Sequence, residues 1–278
     1  ELQDFEKYII GTFPPISYLY YEFNLNIVRQ PNNGRALSKP GFPFFHGNRR
    51  LLWDYFLNID ELNNIPVNKD LVPEYLKNIL LNKDVNYSDI ITYVRRELEH
   101  NRYKGSDKLL YNITPNLNLI NHILNNQKAK YLMFNTASIY GMEGIQNDDD
   151  GFVSLTNDSK SFDLFLRTLQ ELGFKTSFSF DNGINWVSFE NLNMNQRKSK
   201  LVFKLKINKN NITIKEFFII TPFSPAVAQR VNILNRNPIV SNWRNINNMQ
   251  NTKKMLSQIM IYFRNNNWEA LQAMNVNL

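Results

Sequence analysis

Two short loops near opposite ends of the chain carry residue types suited to holding a ligand. Residues 8–15 read Y-I-I-G-T-F-P-P, so an apolar run ends in Gly11 and two prolines. Residues 217–226, F-F-I-I-T-P-F-S-P-A, repeat this arrangement late in the chain. Glycine lets a ligand approach the backbone, and proline fixes the shape of a loop. Because α/β sheets bind ligands in loops at the carboxyl ends of strands, we expect both loops to form one site.

Composition excludes several kinds of catalytic site. The 278 residues include no cysteine, which excludes disulfides, thiolate catalysis and cysteine-ligated zinc. Only three histidines are present, so we predict no metal site and no cofactor. No apolar run approaches the ~18 residues that a membrane helix needs, and no secretory signal pattern opens the sequence. We therefore expect a cytoplasmic monomer that does not bind membranes.

The charge balance bears on the kind of partner. The formal net charge is +7 and the isoelectric point is about 9.4. Such a surplus keeps a protein soluble, and it also favours a polyanion such as nucleic acid as the partner.

The hydrophobic pattern alternates between the helical period and the strand period, which predicts an α/β fold with a mixed sheet. Helices are predicted over residues 49–57, 70–81, 116–124 and 162–172, and again near the C-terminus. Strands are predicted over residues 8–11, 130–135, 174–180, 186–189, 201–207 and 212–220.

One further helix is predicted around Asp89. Apolar residues at helical spacing between residues 90 and 98 indicate a helix capped by Asn86 or Ser88. Asp89 would then lie in the first turn, where the exposed backbone N–H groups favour a carboxylate.

Five segments, taken in order, resemble the uracil-DNA glycosylase superfamily, nearest its hypoxanthine-DNA glycosylase branch. That branch has a G-S-F-P loop, a Y-Y-G-H-P-R-N-x-F-W block, an acidic residue, an F-N-G strand end and an S-T-S-P-A loop. The matching segments here are G-T-F-P-P (11–15), F-F-H-G-N-R-R-L-L-W (44–53), S-D-I-I (88–91), L-M-F-N (132–135) and P-F-S-P-A (222–226).

The resemblance implies a single glycosylase-like domain over residues 1–278. Its fold would be a three-layer α/β/α arrangement around a central, mostly parallel four-stranded sheet. Two segments are larger than the resemblance leads one to expect: a loop over residues 24–43 and an insertion over residues 145–215, predicted as a helix and a β-hairpin.

The resemblance also implies an activity on double-stranded DNA that carries a damaged or modified base. The enzyme would extrude one nucleotide, because the reacting bond is inaccessible in the stack, and hydrolyse its N-glycosidic bond to leave an abasic site. No lysine in the matched segments is placed to form a Schiff base, so we expect a monofunctional glycosylase.

The residues matched to the family divide into three groups by role. Candidates for catalysis, through a hydrogen bond to the base or through activation of water, are Asn135, Asp89 and Asn48. Candidates for the base pocket are Gly11, Thr12, Phe13, Phe44, Phe45 and His46, with Phe45 or Phe44 as the stacking surface. Candidates for DNA contact are Arg49, Arg50, Ser224, Pro225, Ala226, Val227, Arg230, Lys204 and Lys206, with Val227 or Phe223 as a wedge.

Two departures from the family bear on the substrate. Uracil-specific members carry Asp or Asn where this chain has Phe13, and His where it has Pro222. The added segments suit a bulkier base, such as a glucosylated hydroxymethylcytosine in phage DNA, and hence antiviral defence. Repair of uracil or hypoxanthine is an alternative, and a catalytically silent DNA-binding module is another. An enzyme for a small phosphorylated substrate is disfavoured, because no Walker or G-x-G-x-x-G pattern is present.

Overall fold

The computed structural model describes residues 1–11, 53–96, 98–99, 102–103, 110–134, 145–147, 153–155, 161–188, 191, 200–222, 238–247 and 252–275. The strands are β1 (Lys7–Gly11), β2 (Val85–Asp89), β3 (Ile91–Arg96), β4 (Leu98–Glu99), β5 (Arg102–Tyr103), β6 (Leu110–Pro115), β7 (Tyr131–Phe134), β8 (Ile145–Asn147), β9 (Val153–Leu155), β10 (Lys175–Ser179), β11 (Val187–Ser188), β12 (Val202–Lys209) and β13 (Ile212–Ile220). The α-helices are α1 (Trp53–Phe56), α2 (Ile59–Asn63), α3 (Val72–Asn82), α4 (Leu117–Asn125), α5 (Ser161–Glu171), α6 (Pro238–Asn247), α7 (Thr252–Arg264) and α8 (Trp268–Ala273), and a 3-10 helix (Lys69–Leu71) precedes α3.

The main sheet has seven strands in the order β11-β10-β12-β13-β7-β1-β2. Strands β13, β7, β1 and β2 are parallel to one another. Strands β12, β10 and β11 continue the sheet in antiparallel fashion beyond β13. Small two-stranded sheets pair β3 with β6, β4 with β5 and β8 with β9. The protein is therefore α/β with a large mixed sheet.

The expectation of a four-stranded, mostly parallel sheet is correct for only part of the sheet. Residues 145–215 supply α5, β10, β11, β12 and the first residues of β13, so the predicted insertion adds strands to the main sheet. Its strands alternate apolar and polar residues, and such strands need a neighbouring strand for their backbone groups. Strand β12 finds that neighbour in β13, which connects the insertion to the parallel strands.

The helix predicted from residues 86 to 98 is wrong. Strand β2 occupies residues up to Asp89 and pairs along its whole length with β1, and Ile91 begins β3. Val, Tyr, Ile and Thr are enriched in this segment and favour strands. Pairing with a buried strand far away in sequence outweighs the local helical spacing of the isoleucines.

Helices lie on both faces of the sheet, because alternate residues of each strand face opposite sides. Ile9 of β1 lies in a buried cluster with Leu76 of α3 and Ile259 of α7. Ile10 lies in a second cluster with Phe165 of α5. The strand predicted at residues 8–11 is confirmed as β1, and it is buried throughout.

Two helix ends agree with the sequence-based prediction. Asn116 is the N-cap of α4, and its side chain accepts a hydrogen bond from the Leu119 N–H at 3.1 Å. Gly173 follows α5 with a φ of 81°, a left-handed conformation that glycine adopts without steric cost.

Candidate functional site

The parallel strands bring their carboxyl ends to one edge of the sheet, the carboxyl edge. Gly11 of β1 pairs with Asp89 of β2, and Ile10 pairs with Phe134 of β7. Ile220 of β13 pairs with Met133, so β13 ends at nearly the same level. Three segments matched to the glycosylase family therefore leave the sheet here, after Gly11, Phe134 and Ile220.

Asp89 is the carboxylate at this edge. It ends β2 and is only 7% exposed, so it does not lie in the first turn of a helix. The Ile90 N–H donates to the Gly11 carbonyl at 2.9 Å, which continues the β1–β2 pairing past the carboxylate. A buried carboxylate is thus held beside a glycine, the residue type that allows close approach by a ligand.

Asn116 fixes the turn that follows Asp89. Its Nδ2 donates to the Asp89 carbonyl at 3.0 Å, and its backbone N–H donates to the Ile90 carbonyl at 2.6 Å. The same side chain caps α4 through its Oδ1 atom. Sequence reasoning identified the cap but missed the second role, because Asp89 and Asn116 are neighbours only in three dimensions.

Thr221, directly before the second proline loop, is a polar residue that the sequence reasoning did not select. Its N–H donates to the Leu201 carbonyl at 3.0 Å, and the residue is 1% exposed. Its hydroxyl has no hydrogen-bond partner within the part of the chain that the structure describes. Leaving a buried hydroxyl without a partner costs about 1–3 kcal/mol.

Lys200 is a second functional candidate that the sequence reasoning missed. It directly precedes Leu201, which bonds to Thr221, and it is 8% exposed. Burial lowers the pKa of its ammonium group, so an anion nearby would favour the charged form. Asn275 holds this segment in place: its Oδ1 accepts from the Leu201 and Val202 N–H groups at 2.7 and 2.9 Å.

Lys204 and Lys206, predicted to contact DNA, lie away from the carboxyl edge. Lys204 pairs with Phe218, which in turn pairs with Tyr131 at the start of β7. That level is four residues, or about 13 Å, from Gly11 along the strand direction. Lys206 lies two residues further away and lines a cavity of about 1180 Å³ beside the C-terminal end of α5. A DNA contact by these lysines stays a prediction.

All of the other predicted site residues lie outside the described residues. These are Thr12, Phe13, Phe44, Phe45, His46, Asn48, Arg49, Arg50, Asn135, Phe223, Ser224, Pro225, Ala226, Val227 and Arg230.

Within the ranges that the structure describes, no group of three or more histidine, aspartate or glutamate side chains is arranged to hold a metal ion. None of the helices in those ranges is long and apolar enough to cross a membrane.

No protein-family model matches this chain, and comparison with the curated proteins and with the solved structures gives no match either. The glycosylase interpretation therefore depends on the ordered motifs and on the geometry of the carboxyl edge.

Proposed function

We propose that the protein is a monofunctional DNA glycosylase that removes a non-standard base. The observation that supports this most is the Gly11–Asp89 pair at the carboxyl edge. These residues belong to two different matched segments, 78 positions apart by their numbering (89 − 11), yet they are direct neighbours. The segments that lead to Asn135 and Ser224 leave the same edge, through Phe134 and Thr221.

The reaction needs a positioned water molecule, a proton acceptor for that water and a hydrogen-bond donor to the departing base. A water oxygen bonds to C1′ of the extruded nucleotide, the C1′–N bond breaks, and its electron pair leaves with the base. Asp89 would orient the water and take its proton, and the departing base would be protonated from solvent. The Asn135 amide would donate to the base as negative charge grows on it, while Phe45 stacks against its ring.

The substrate that we favour is a modified cytosine in phage DNA. The predicted insertion adds β10, β11 and β12 to the main sheet next to β13, the strand that precedes the second proline loop, and a small uracil pocket does not need this addition. Phe13 and Pro222 stand where uracil-specific members use polar groups, which disfavours uracil. Uracil or hypoxanthine repair remains the alternative within this chemistry.

A catalytically silent DNA-binding module is the second candidate function. The same two positions, Phe13 and Pro222, carry no group that could activate water or stabilise a leaving base. A silent module would bind DNA and release no base.

A base-release assay separates these functions. The protein is incubated with duplexes that carry uracil, hypoxanthine, 5-hydroxymethylcytosine or its glucosylated form, and alkali-labile abasic sites are counted. We expect release from the modified cytosine. Asp89→Asn should slow it about 10²-fold or more, with Asn135→Ala and Phe45→Ala also impaired. The exposed Asp70→Asn is the matched control.

Each other outcome has a defined meaning. Release of uracil or hypoxanthine alone would establish the repair alternative, and DNA binding with no release on any duplex would establish the silent module. Strand cleavage without alkali would refute the monofunctional assignment, and it would point to the Lys200 amine as a nucleophile.

A further inference from the structure

Helix α4 is anchored at both of its ends by side-chain hydrogen bonds. At its C-terminal end, the Asn126 Nδ2 donates to the Phe5 carbonyl at 2.8 Å and to the Tyr8 hydroxyl at 2.7 Å. The Lys215 Nζ of β13 donates to the Asn126 carbonyl. At its N-terminal end, Asn116 bonds to the turn after β2. The helix therefore cannot shift along β1 and β2 without breaking several hydrogen bonds.

Apolar packing holds the middle of α4 in the same position. Leu119, Ile120 and Ile123 are fully buried, and they share a core cluster with Ile10 of β1. Such side chains make many close contacts, and a densely packed core resists displacement. Helix α4 is thus a rigid support for the residues that it contacts at the carboxyl edge.

The main chain directly after the Asp89 side chain is held by three hydrogen bonds. The Asn116 Nδ2 donates to the Asp89 carbonyl at 3.0 Å, and the Asn116 N–H donates to the Ile90 carbonyl at 2.6 Å. The Ile90 N–H donates to the Gly11 carbonyl at 2.9 Å. These bonds fix the two peptide units that follow Asp89. Because the backbone sets the direction of each Cα–Cβ bond, they also fix the direction in which the carboxylate leaves the strand.

Asn116 reaches Asp89 from the opposite face of the sheet. Alternate residues of a strand share a face, so Asp89 projects to the same side as Tyr87. Tyr87 lies in the core cluster of Leu76 from α3, whereas α4 lies in the cluster of Ile10 on the other side. Asn116 therefore acts on Asp89 through its main-chain carbonyl.

We propose that Asn116 is a positioning residue for Asp89, because it ties the carboxylate to the fixed position of α4. The role of Asp89, which orients the attacking water, rests on the proposed function. Asparagine suits this position, since its Oδ1 accepts the cap bond of α4 while its Nδ2 donates to Asp89. Displacing a reacting group by about 1 Å can slow a reaction about 10²-fold, so the support acts mainly on the chemical step.

Asn116→Asp separates the two roles of this side chain, because a carboxylate accepts the cap bond but cannot donate to the Asp89 carbonyl. The base-release assay is run with increasing duplex concentration, which gives kcat and KM separately. We expect kcat to fall about 10-fold to 100-fold, while KM changes less than about 3-fold. A residue that only stabilised the fold would not produce this division between kcat and KM.

Asn267→Ala is the matched control. Asn267 caps α8 in the same way, with its Oδ1 accepting from the Ala270 N–H at 3.2 Å. Trp268 of α8 stacks on Tyr131 at the start of β7, the end of the sheet opposite to Asp89. This variant loses a whole cap and should still release base at the wild-type rate.

Amide hydrogen exchange gives a second measurement that needs no base release. Asn116→Asp should speed exchange of the Ile90 N–H about 5-fold to 10-fold, because the turn that holds this N–H loses one of its hydrogen bonds. Asn267→Ala should leave the exchange rate of Ile90 unchanged.

The outcomes for Asn116 and for the proposed function are distinguishable. If the wild type releases base and Asn116→Asp keeps its kcat, or raises KM alone, the inference is wrong. It is also wrong if Asn267→Ala slows release as much as Asn116→Asp does. If the wild type releases no base from any duplex, the proposed function fails. Exchange at Ile90 then decides separately: faster exchange in Asn116→Asp supports the hold on the Asp89 turn, and unchanged exchange overturns it.

Discussion

Replacing Arg264 with methionine tests a buried ion pair that joins three helices at the other end of the sheet. The Arg264 side chain is 3% exposed, and its Nη1 and Nη2 atoms lie 2.6 and 2.5 Å from the two carboxylate oxygens of Glu61. Nη1 also donates to the Phe56 carbonyl at 2.6 Å. A single side chain therefore connects the end of α7 with α1 and α2.

The expected loss in the free energy of unfolding follows from this geometry. Breaking a buried ion pair by removing one partner costs about 3–5 kcal/mol. The Glu61 side chain is 19% exposed and also accepts from the Asn58 N–H at 2.9 Å, so it retains some stabilisation without Arg264. We therefore expect Arg264→Met to lower the free energy of unfolding by about 3 kcal/mol, the lower end of that range.

Urea unfolding with linear extrapolation measures this loss, provided that the slope against denaturant is unchanged. The control is Lys77→Met, which breaks the Lys77–Glu74 pair at 3.8 Å, where the side chains are 57% and 64% exposed. An exposed pair of this kind contributes about 0.5 kcal/mol or less. A loss in Arg264→Met no larger than in the control would refute the reasoning.

The same pair predicts a dependence on pH. Burial opposes ionisation of Glu61, but the hydrogen bonds from Arg264 and Asn58 and the charge of Arg264 outweigh it, and the pKa lies below 4.5. The unfolded chain then binds more protons, so this stabilisation is complete above pH 4.5 and is lost as pH falls through the lower folded pKa. We expect the stability of Arg264→Met to fall less steeply below pH 4.5 than that of the wild type.

Three further predictions use the same urea titration. Thr221→Val removes a buried hydroxyl that finds no partner among the described residues, so the free energy of unfolding should rise by about 1 kcal/mol; a fall would contradict this. Asn116→Ala removes both the cap of α4 and the hydrogen bond to the Asp89 carbonyl, so it should lower the free energy of unfolding by about 2 kcal/mol. Asn116→Asp should restore the cap alone, because a carboxylate accepts a hydrogen bond but cannot donate one. Burial lowers the pKa of Lys7 from 10.5 to about 8, so the free energy of unfolding of the wild type should rise with pH between those two values. Lys7→Met, which also loses the hydrogen bond to the Arg264 carbonyl, should not show this rise.

Much of the secondary structure follows from local sequence. The apolar run before Gly11 predicts β1, the Asn116 cap marks the start of α4, and Gly173 marks the end of α5. Each of these signals acts within a few residues, through a cap, a positive φ or a hydrophobic period. These elements can therefore be located from the sequence without knowledge of the elements they pack against.

The arrangement at the carboxyl edge depends on contacts between distant segments. Asp89 ends a strand because β1 pairs with β2, and Thr221 and Lys200 lie together because β12 and β13 pair up to that level. Nothing in the local spacing of residues 86–98 reveals the first pairing, since a partner 78 positions away supplies the hydrogen bonds. The sequence by itself determined the periodic elements and the proline loops. Tertiary structure alone decided that these loops begin at one edge beside a buried carboxylate, because strand register is set by pairing across the whole sheet.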